Sequence, residues 1–244
     1  MGSLAPIHRP PPWLVRTLTL ALLASAVTAA APAAACSVVS TYRVPTNFEL
    51  VDQADTIMLA NVEGGSPAGT RMGDAQLVMR PTHLLKGDAL PAELRLRGMS
   101  LAPPHLRQLS DPDELEQAHP LAYAGACTRR MFTEGSTVLL FLGRHGDELV
   151  PMSAPFARTA EDVPSTESRW VRAVRLYADI AALPEARRAA AMRTRQAELR
   201  ALGGDDDAQA IADDIDRQLR GPNRPWNTIM EEEIRRSPEP SFRP

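Results

Sequence analysis

The chain has 244 residues, with 27 basic and 30 acidic side chains and a formal net charge of −3, and 44% of its residues are hydrophobic. This balance disfavours a nucleic-acid partner, which would require a strongly basic face. Without the first 35 residues, roughly 200 would remain, which suffices for one domain with an extension. We therefore expect a folded, mildly acidic protein with no nucleic-acid partner and no cofactor.

The N-terminal segment has the parts of a cleaved signal peptide. Basic residues precede an uncharged run at 18–31, and Ala33 and Ala35 are the small side chains that a signal peptidase accepts before Cys36. The run is shorter than the about 20 residues of a spanning helix. The sequence thus predicts cleavage between Ala35 and Cys36 and export to the periplasm or the medium.

Two alternatives to simple cleavage stay open at this stage. In one, the segment is not cleaved and remains as a membrane anchor. In the other, the chain is a lipoprotein acylated on Cys36, although Ala33 stands where the usual lipoprotein signal has a leucine. Either alternative would bring the protein to a membrane.

The two cysteines, Cys36 and Cys127, also fit an exported protein. In an oxidising compartment an even count usually means a disulfide. Closing a loop of about 90 residues would contribute on the order of 4 kcal/mol of stability. The alternative is two unrelated buried thiols.

The region after Cys36 has a β-rich pattern. Thr46 can cap a short helix that ends at Ala54, and Pro81 indicates an edge or a bulge in the second strand. Apolar and alternating runs predict five strands, at residues 56–62, 76–85, 93–97, 137–142 and 148–152. Residues 98–125 are rich in proline and predict a long exposed insertion, with one or two helical turns at 111–116.

The last third of the chain changes to a helical pattern. Apolar residues at spacings of three and four predict a helical extension over 161–220, with Ser165 or Ser168 as its first cap. Pro184 begins the next helix, and the acidic run at 205–207 begins the last. The prolines and charges of 221–244 predict a disordered tail.

Several of these features together resemble the netrin-like module, whose best-known members are tissue inhibitors of metalloproteinases. The matching features are Cys36, Gln53-Ala54-Asp55, the strand 56–62, His83-Leu84-Leu85-Lys86-Gly87, Cys127 and the run from Phe132 to Phe141. The likeness covers about residues 36–155. It implies an α+β fold with a five-stranded OB-type β-barrel at 36–160, a short N-terminal helix, and a disulfide from the first mature cysteine.

The resemblance also implies a possible partner site at the new N-terminus. In the inhibitors the first cysteine chelates the zinc of a target protease, a role that falls here to Cys36, with Ser37 and Val38 beside it. The chain departs from the family at Val38, where the inhibitors have a second cysteine. A single disulfide would leave this N-terminal segment less preorganised than in the inhibitors, and the cost of ordering it on binding lowers affinity.

Each chemical candidate in the sequence has a simpler explanation. The sequence of Gly64–Ala68 is close to the Gly-x-Ser-x-Gly pattern of a nucleophile elbow, but its last glycine is misplaced and no helix follows. The histidines outside the signal, His83, His105, His119 and His145, lack the spacing of helical metal ligands. The carboxylates of 111–116 lack the glycine-centred loop of a calcium site. We therefore predict neither catalytic nor metal-ligating residues.

These observations predict an exported, non-enzymatic protein-binding or envelope-associated module, with inhibition of a metalloprotease as one version of that function. The partner would be an envelope or extracellular protein, and a protease is one candidate. One alternative is a membrane-tethered or lipid-anchored structural protein. The other is an enzyme that uses residues 98–125 as a lid over His105 and His119.

Mass spectrometry of the protein recovered from its native host tests the signal peptide. We expect the intact mass of a chain that begins at Cys36, because Ala33 and Ala35 satisfy the peptidase. Reduction reports whether the cysteines are bridged. A mass that retains residues 1–35, or that carries an acyl group on Cys36, would contradict simple cleavage.

Overall fold

The structure is a computed structural model that describes residues 38–236. In this range the strands are β1 (Thr56–Gly65), β2 (Gln76–Lys86), β3 (Leu94–Arg97), β4 (Ser100–Leu101), β5 (Met131–Phe132), β6 (Thr137–His145), β7 (Glu148–Pro151) and β8 (Ala160–Asp162). The helices are α1 (Asn47–Gln53), α2 (Arg169–Ala181), α3 (Glu185–Ala201), α4 (Asp206–Leu219) and α5 (Trp226–Arg236). The fold is therefore α+β.

Strand β1 lies at the centre of an antiparallel sheet. It pairs with β2 on one side and with β6 on the other, and the strand order is β3-β2-β1-β6-β7. Strand β8 pairs with a different part of β6 from the part that pairs with β7. The short strands β4 and β5 form a separate parallel pair.

Both faces of β1 and β6 are buried. Ile57 and Leu59 belong to a core beneath the helices, whereas Met58 and Ala60 belong to a second core on the opposite face. Successive side chains of a strand point to opposite faces, so a strand covered on both sides is apolar at consecutive positions. This explains the continuous apolar runs from which the sequence predicts both strands.

The prediction of a bulge at Pro81 is confirmed. Leu59 lies opposite His83 and Ala60 lies opposite Pro81, so Thr82 is the extra residue. Its hydroxyl donates a hydrogen bond to the carbonyl of Leu59 over 3.2 Å. A proline is tolerated at such a point because the ladder bond that it cannot make is already interrupted.

The predicted five-stranded OB-type barrel is wrong. The sheet has six strands and is not closed into a barrel. In the described part of the chain β3 and β7 end the sheet without pairing with each other. The strand positions follow from the apolar pattern, but that pattern carries no information on whether the two end strands meet.

Of the two cysteines of the predicted disulfide, the described residues 38–236 contain Cys127. The predicted bridge joins Cys127 to Cys36, and Cys36 lies outside the described residues. In the described part, the carbonyl of Cys127 accepts a hydrogen bond from the amide of Phe156 over 2.7 Å. The pairing of Cys36 with Cys127 therefore stays a prediction.

The helices share one core with the sheet. Trp170, Val174 and Tyr177 of α2 and Ile211 and Ile215 of α4 are all buried in the core beneath β1 and β6. The predicted apolar stripe of α2 is confirmed, and Ser168 is its N-cap residue. In the described range no helix combines the length and hydropathy needed to cross a bilayer.

Helix α5 occupies a region that the sequence predicts to be disordered. The Trp226 ring stacks on Phe156 with centroids 4.2 Å apart, and the Trp226 amide donates to the carbonyl of Tyr42 over 2.8 Å. Stacking of large rings stabilises such an isolated helix. The local composition around 221–236 hides this long-range contact.

The 98–125 insertion is not the exposed segment that the sequence predicts. Residues 111–116 form no helix, and two short 3₁₀ turns lie at Pro104–Leu106 and Pro120–Ala122. Leu115, Ala118 and His119 are buried. Polar contacts with the rest of the fold hold the segment in place.

A buried hydrogen bond joins Asp214 on α4 to Tyr177 on α2. Its carboxylate accepts a hydrogen bond from the Tyr177 hydroxyl over 2.6 Å, and both residues are fully buried. We expect Tyr177→Phe to lower the free energy of unfolding by about 1–3 kcal/mol, since it leaves a buried acceptor short of a donor. Urea unfolding measures this. Tyr123→Phe is the control because Tyr123 is 41% exposed, and an equal loss in both variants would contradict the expectation.

Candidate functional site

The largest group of buried polar side chains joins the insertion to β8. We call it the β8 cluster, and it consists of Ser110, His119, Arg129, Glu161 and Asp162. Ser110 and His119 come from the insertion, whereas Glu161 and Asp162 end β8. Buried charges are costly unless they are paired, so the contacts within this cluster decide what it can do.

Arg129 and Asp162 form an ion pair at the base of the cluster. The guanidinium Nη1 lies 2.7 Å from Asp162 Oδ2, and the two side chains are only 2% and 5% exposed. Arg129 also donates to the carbonyls of Met131 and Ala160, and it lies over the Phe132 ring at 4.5 Å. Removing either charge would leave the other buried and uncompensated.

Glu161 fixes two points of the insertion. Its Oε2 accepts a hydrogen bond from the Ser110 hydroxyl over 2.6 Å, and its Oε1 accepts from the His119 amide over 3.0 Å. Burial raises the pKa of Glu161, and this effect is opposed by Arg158 and by the two hydrogen bonds. The carboxylate therefore serves as an acceptor for the loop.

Both ring nitrogens of His119 have partners. Nδ1 accepts from the amide of Leu121 over 3.1 Å, so the proton is assigned to Nε2, which donates to the carbonyl of Gln108 over 2.9 Å. Burial and the charge of Arg129 lower the pKa of His119. The ring is thus held neutral in one tautomer.

The cluster contains the residue types of a hydrolase triad but not its geometry. In a triad the histidine bonds to the nucleophile and takes its proton. Here the Ser110 hydroxyl donates to Glu161, and His119 bonds to two backbone groups. The arrangement fixes the insertion against β8, and the histidine is not the hydrogen-bond partner of Ser110.

The other predicted candidates lie apart from this cluster. Asp113 pairs with Arg169 of α2 at 3.3 Å, and Glu116 pairs with Arg217 of α4 at 2.8 Å, so the acidic loop is joined to the helices. His83, His105 and His145 are exposed. Among the described residues no three His, Cys, Asp or Glu side chains converge to hold a metal ion.

The predicted N-terminal partner site is only partly described. Ala35, Cys36 and Ser37 lie outside the described residues, and Val38 is half-buried. Cys127 lies in the loop before β5 and has a positive φ of 57°. The predicted partner site at the N-terminus therefore stays a prediction.

A second candidate site is the space between the two end strands of the sheet. We call it the edge groove, a cavity of 780 Å³ between β3 and β7. This volume is in the range of protein ligand sites. Its walls include Leu90, Arg95, Arg97, Arg144, Glu148 and Leu149.

The wall formed by β7 has a free backbone edge. The amide of Met152 donates to the carbonyl of Phe141 over 3.1 Å. Because antiparallel strands direct their backbone groups alternately toward and away from the partner, Leu149 and Pro151 face away from β6. Proline has no N–H, so Leu149 has the outward donor of β7.

The same reasoning applies to β3. The amide of Gly98 donates to the carbonyl of Ala75 over 2.8 Å, which places the backbone groups of Arg95 and Arg97 on the free edge. The side chains of β3 alternate between buried and exposed, as the sequence predicts. Two strand edges thus border one groove.

No protein-family model matches the chain, and no curated protein is significantly similar to it. The geometry of the two sites is therefore the basis for a functional proposal. The side chains of the β8 cluster bond mainly to one another and to nearby backbone groups, whereas the edge groove is bordered by backbone groups that no strand of the sheet pairs with.

Ser110, Arg129, Glu161 and Asp162 of the β8 cluster are not among the candidates that the sequence predicts. Glu161 and Asp162 follow a mostly small and apolar stretch and precede Val163. Charged residues in such a position are a signal for a buried pair, although the partner cannot be identified from the sequence. The edge groove has no local signal, because its two walls are about 50 residues apart.

The pH dependence of stability tests the role of His119. Its lowered pKa means that the neutral ring contributes stability above pH 6.5, which is lost as the pH falls through the folded-state pKa. We expect His119→Gln to remove this loss of stability between about pH 8 and pH 5. Urea unfolding across this range measures it.

His105→Gln is the matched control, because His105 is exposed. Comparison with the unmodified protein cancels the contribution of Glu161, whose raised pKa acts in the opposite direction above pH 4.5. A wild-type pH dependence in the His119→Gln variant would show that the ring is not held neutral.

Proposed function

We propose that this protein is an exported, non-enzymatic protein-binding module that holds an extended segment of a partner polypeptide in the edge groove. The observation that carries this proposal is the free edge of β7, which borders a cavity large enough for a ligand. An added strand bonds to such an edge through its main chain. Pockets beside the edge then select its side chains.

The two edges are protected in a way that is compatible with this function. Arg95 and Arg97 project charge from β3, and Pro151 limits pairing at the end of β7. Charged residues and prolines on edge strands prevent indiscriminate association. Leu149 remains available between them, so pairing is restricted to a segment that fits the groove.

The side chains around the groove favour a partner with both apolar and charged residues. Leu90 is 37% exposed on one wall. Arg95 pairs with Glu93 at 2.5 Å, and Arg144 pairs with Asp88 at 3.8 Å. Exposed pairs of this kind contribute little to stability, so a ligand can compete for them at small cost.

Export defines where the partner would be found. The predicted signal at residues 1–35 supports delivery to the periplasm or the medium. The partner in this proposal is accordingly an envelope or extracellular protein with an extended segment. The closed barrel on which inhibitor function was predicted is absent, so the inhibitor version is not part of the proposal.

A backbone substitution at Leu149 tests the mode of binding. Decapeptides with free C-termini are selected on the mature chain, and their affinities are measured by calorimetry. We expect Leu149→Pro to weaken binding roughly 10-fold or more, since it removes the outward N–H. Leu149→Ala is the matched control because it shortens the side chain but keeps the donor.

Hydrogen exchange locates the bound peptide. We expect the Leu149 amide to gain protection when peptide binds. The proposal fails if no peptide binds, if the Leu149→Pro and Leu149→Ala variants bind equally, or if protection appears only on another surface.

A further inference from the structure

A small pocket lies at one end of the edge groove. We call it the arginine pocket, a cavity of 90 Å³ whose lining combines apolar residues with Arg97, Arg129, Arg130, Thr128, Ser153 and Thr159. Its volume can hold a carboxylate or a few water molecules. No carboxylate side chain lines it among the described residues.

Arg130 has positive charge that the described part of the protein does not neutralise. It is half-buried, it makes no ion pair with a described residue, and its one hydrogen bond is a long contact of 3.4 Å from Nη1 to the carbonyl of Gly98. Its Nε is buried without a hydrogen-bond partner. A desolvated cation is unfavourable unless an anion pairs with it.

The other two arginines differ in how they are paired. Arg129 is neutralised by Asp162 at 2.7 Å. Arg97 is exposed and makes no ion pair with a described residue. Two guanidinium groups therefore remain without a counter-charge around one small cavity. Arginine binds carboxylates with paired, charge-assisted hydrogen bonds.

The pocket and the groove are adjacent. Arg97 and Pro151 line both cavities, and they are the last residues of β3 and β7. Both strands therefore run toward the pocket. A segment that lies parallel to them in the groove would end at the arginines.

From this arrangement we infer that the arginine pocket binds a carboxylate, and that this is the C-terminal carboxylate of the segment held in the edge groove. The inference rests on the proposed function for the source of the carboxylate. The pocket supplies positive charge and hydroxyl donors, and the ligand supplies the missing negative charge. An acidic side chain or a free carboxylate has the same chemistry.

Acetate tests the pocket independently of the groove. The arginine Nε–H signals of the mature chain are followed by NMR during titration with acetate. We expect saturable shifts for Arg97 and Arg130, and their loss in Arg130→Gln. Arg193→Gln is the matched control, because Arg193 is exposed on α3 and makes no ion pair with a described residue.

A pair of peptides tests the source of the carboxylate. One selected decapeptide is made with a free C-terminal acid and with a C-terminal amide. We expect the acid to bind roughly 10- to 150-fold more tightly, as for hydrogen bonds to charged groups. Arg130→Gln should abolish this preference.

A structural role for Arg130 predicts a different result. Because its charge is not paired, Arg130→Gln should leave the melting temperature unchanged or higher. A large destabilisation, together with no acetate binding to the unmodified protein, would overturn the inference.

The remaining outcomes separate the two proposals. Saturable acetate binding with equal affinity for acid and amide would overturn the C-terminal source. Equal affinity without acetate binding would overturn the carboxylate site. Acetate binding without binding of either peptide would overturn the proposed function, together with the C-terminal source, and identify the pocket as a site for a free carboxylate.

Discussion

The pairing of β1 with β6 is the contact on which the other parts of the structure depend. Six consecutive residue pairs, from Thr56 opposite Leu142 to Asn61 opposite Thr137, join the two strands. Their side chains divide between two cores, one beneath the helices and one on the opposite face. Because burial on both faces removes the apolar surface of a strand from water, this pair gives the sheet its most strongly stabilised part.

The rest of the chain is attached to this pair through polar as well as apolar contacts. The β8 cluster fixes the insertion to the sheet, and Asp214 fixes the helices to one another. In the β8 cluster Arg129 is paired with Asp162, and between the helices Asp214 accepts a hydrogen bond from Tyr177. Such groups contribute to a single defined arrangement, because any alternative packing would leave them unpaired.

The open sheet gives the protein its candidate binding surface. If β3 and β7 were paired, their backbone groups would bond to each other and no groove would remain. In the described fold they do not pair, residues of both line one cavity, and the arginine pocket lies where both strands end. The lack of pairing between β3 and β7 in the described residues therefore explains why the barrel prediction is wrong, and it is also the basis of the proposed binding surface.

Much of the secondary structure could be predicted from local patterns. The cap at Thr46, the bulge at Pro81 and the hairpin of β6 and β7 all depend on neighbouring residues, and all are present. Helix α5 and the buried insertion could not be predicted, because Trp226 and His119 are stabilised by residues far away in the chain. The candidate site could not be predicted either, since no short motif contains both of its walls.

The sequence by itself determined the central strands and the helical last third, because periodicity and composition are local properties. Only the tertiary structure decided that the sheet stays open and that Arg97 and Arg130 meet at the end of the edge groove. The physical reason is that edge pairing and charge compensation depend on which distant groups come together. A local pattern does not record those distances.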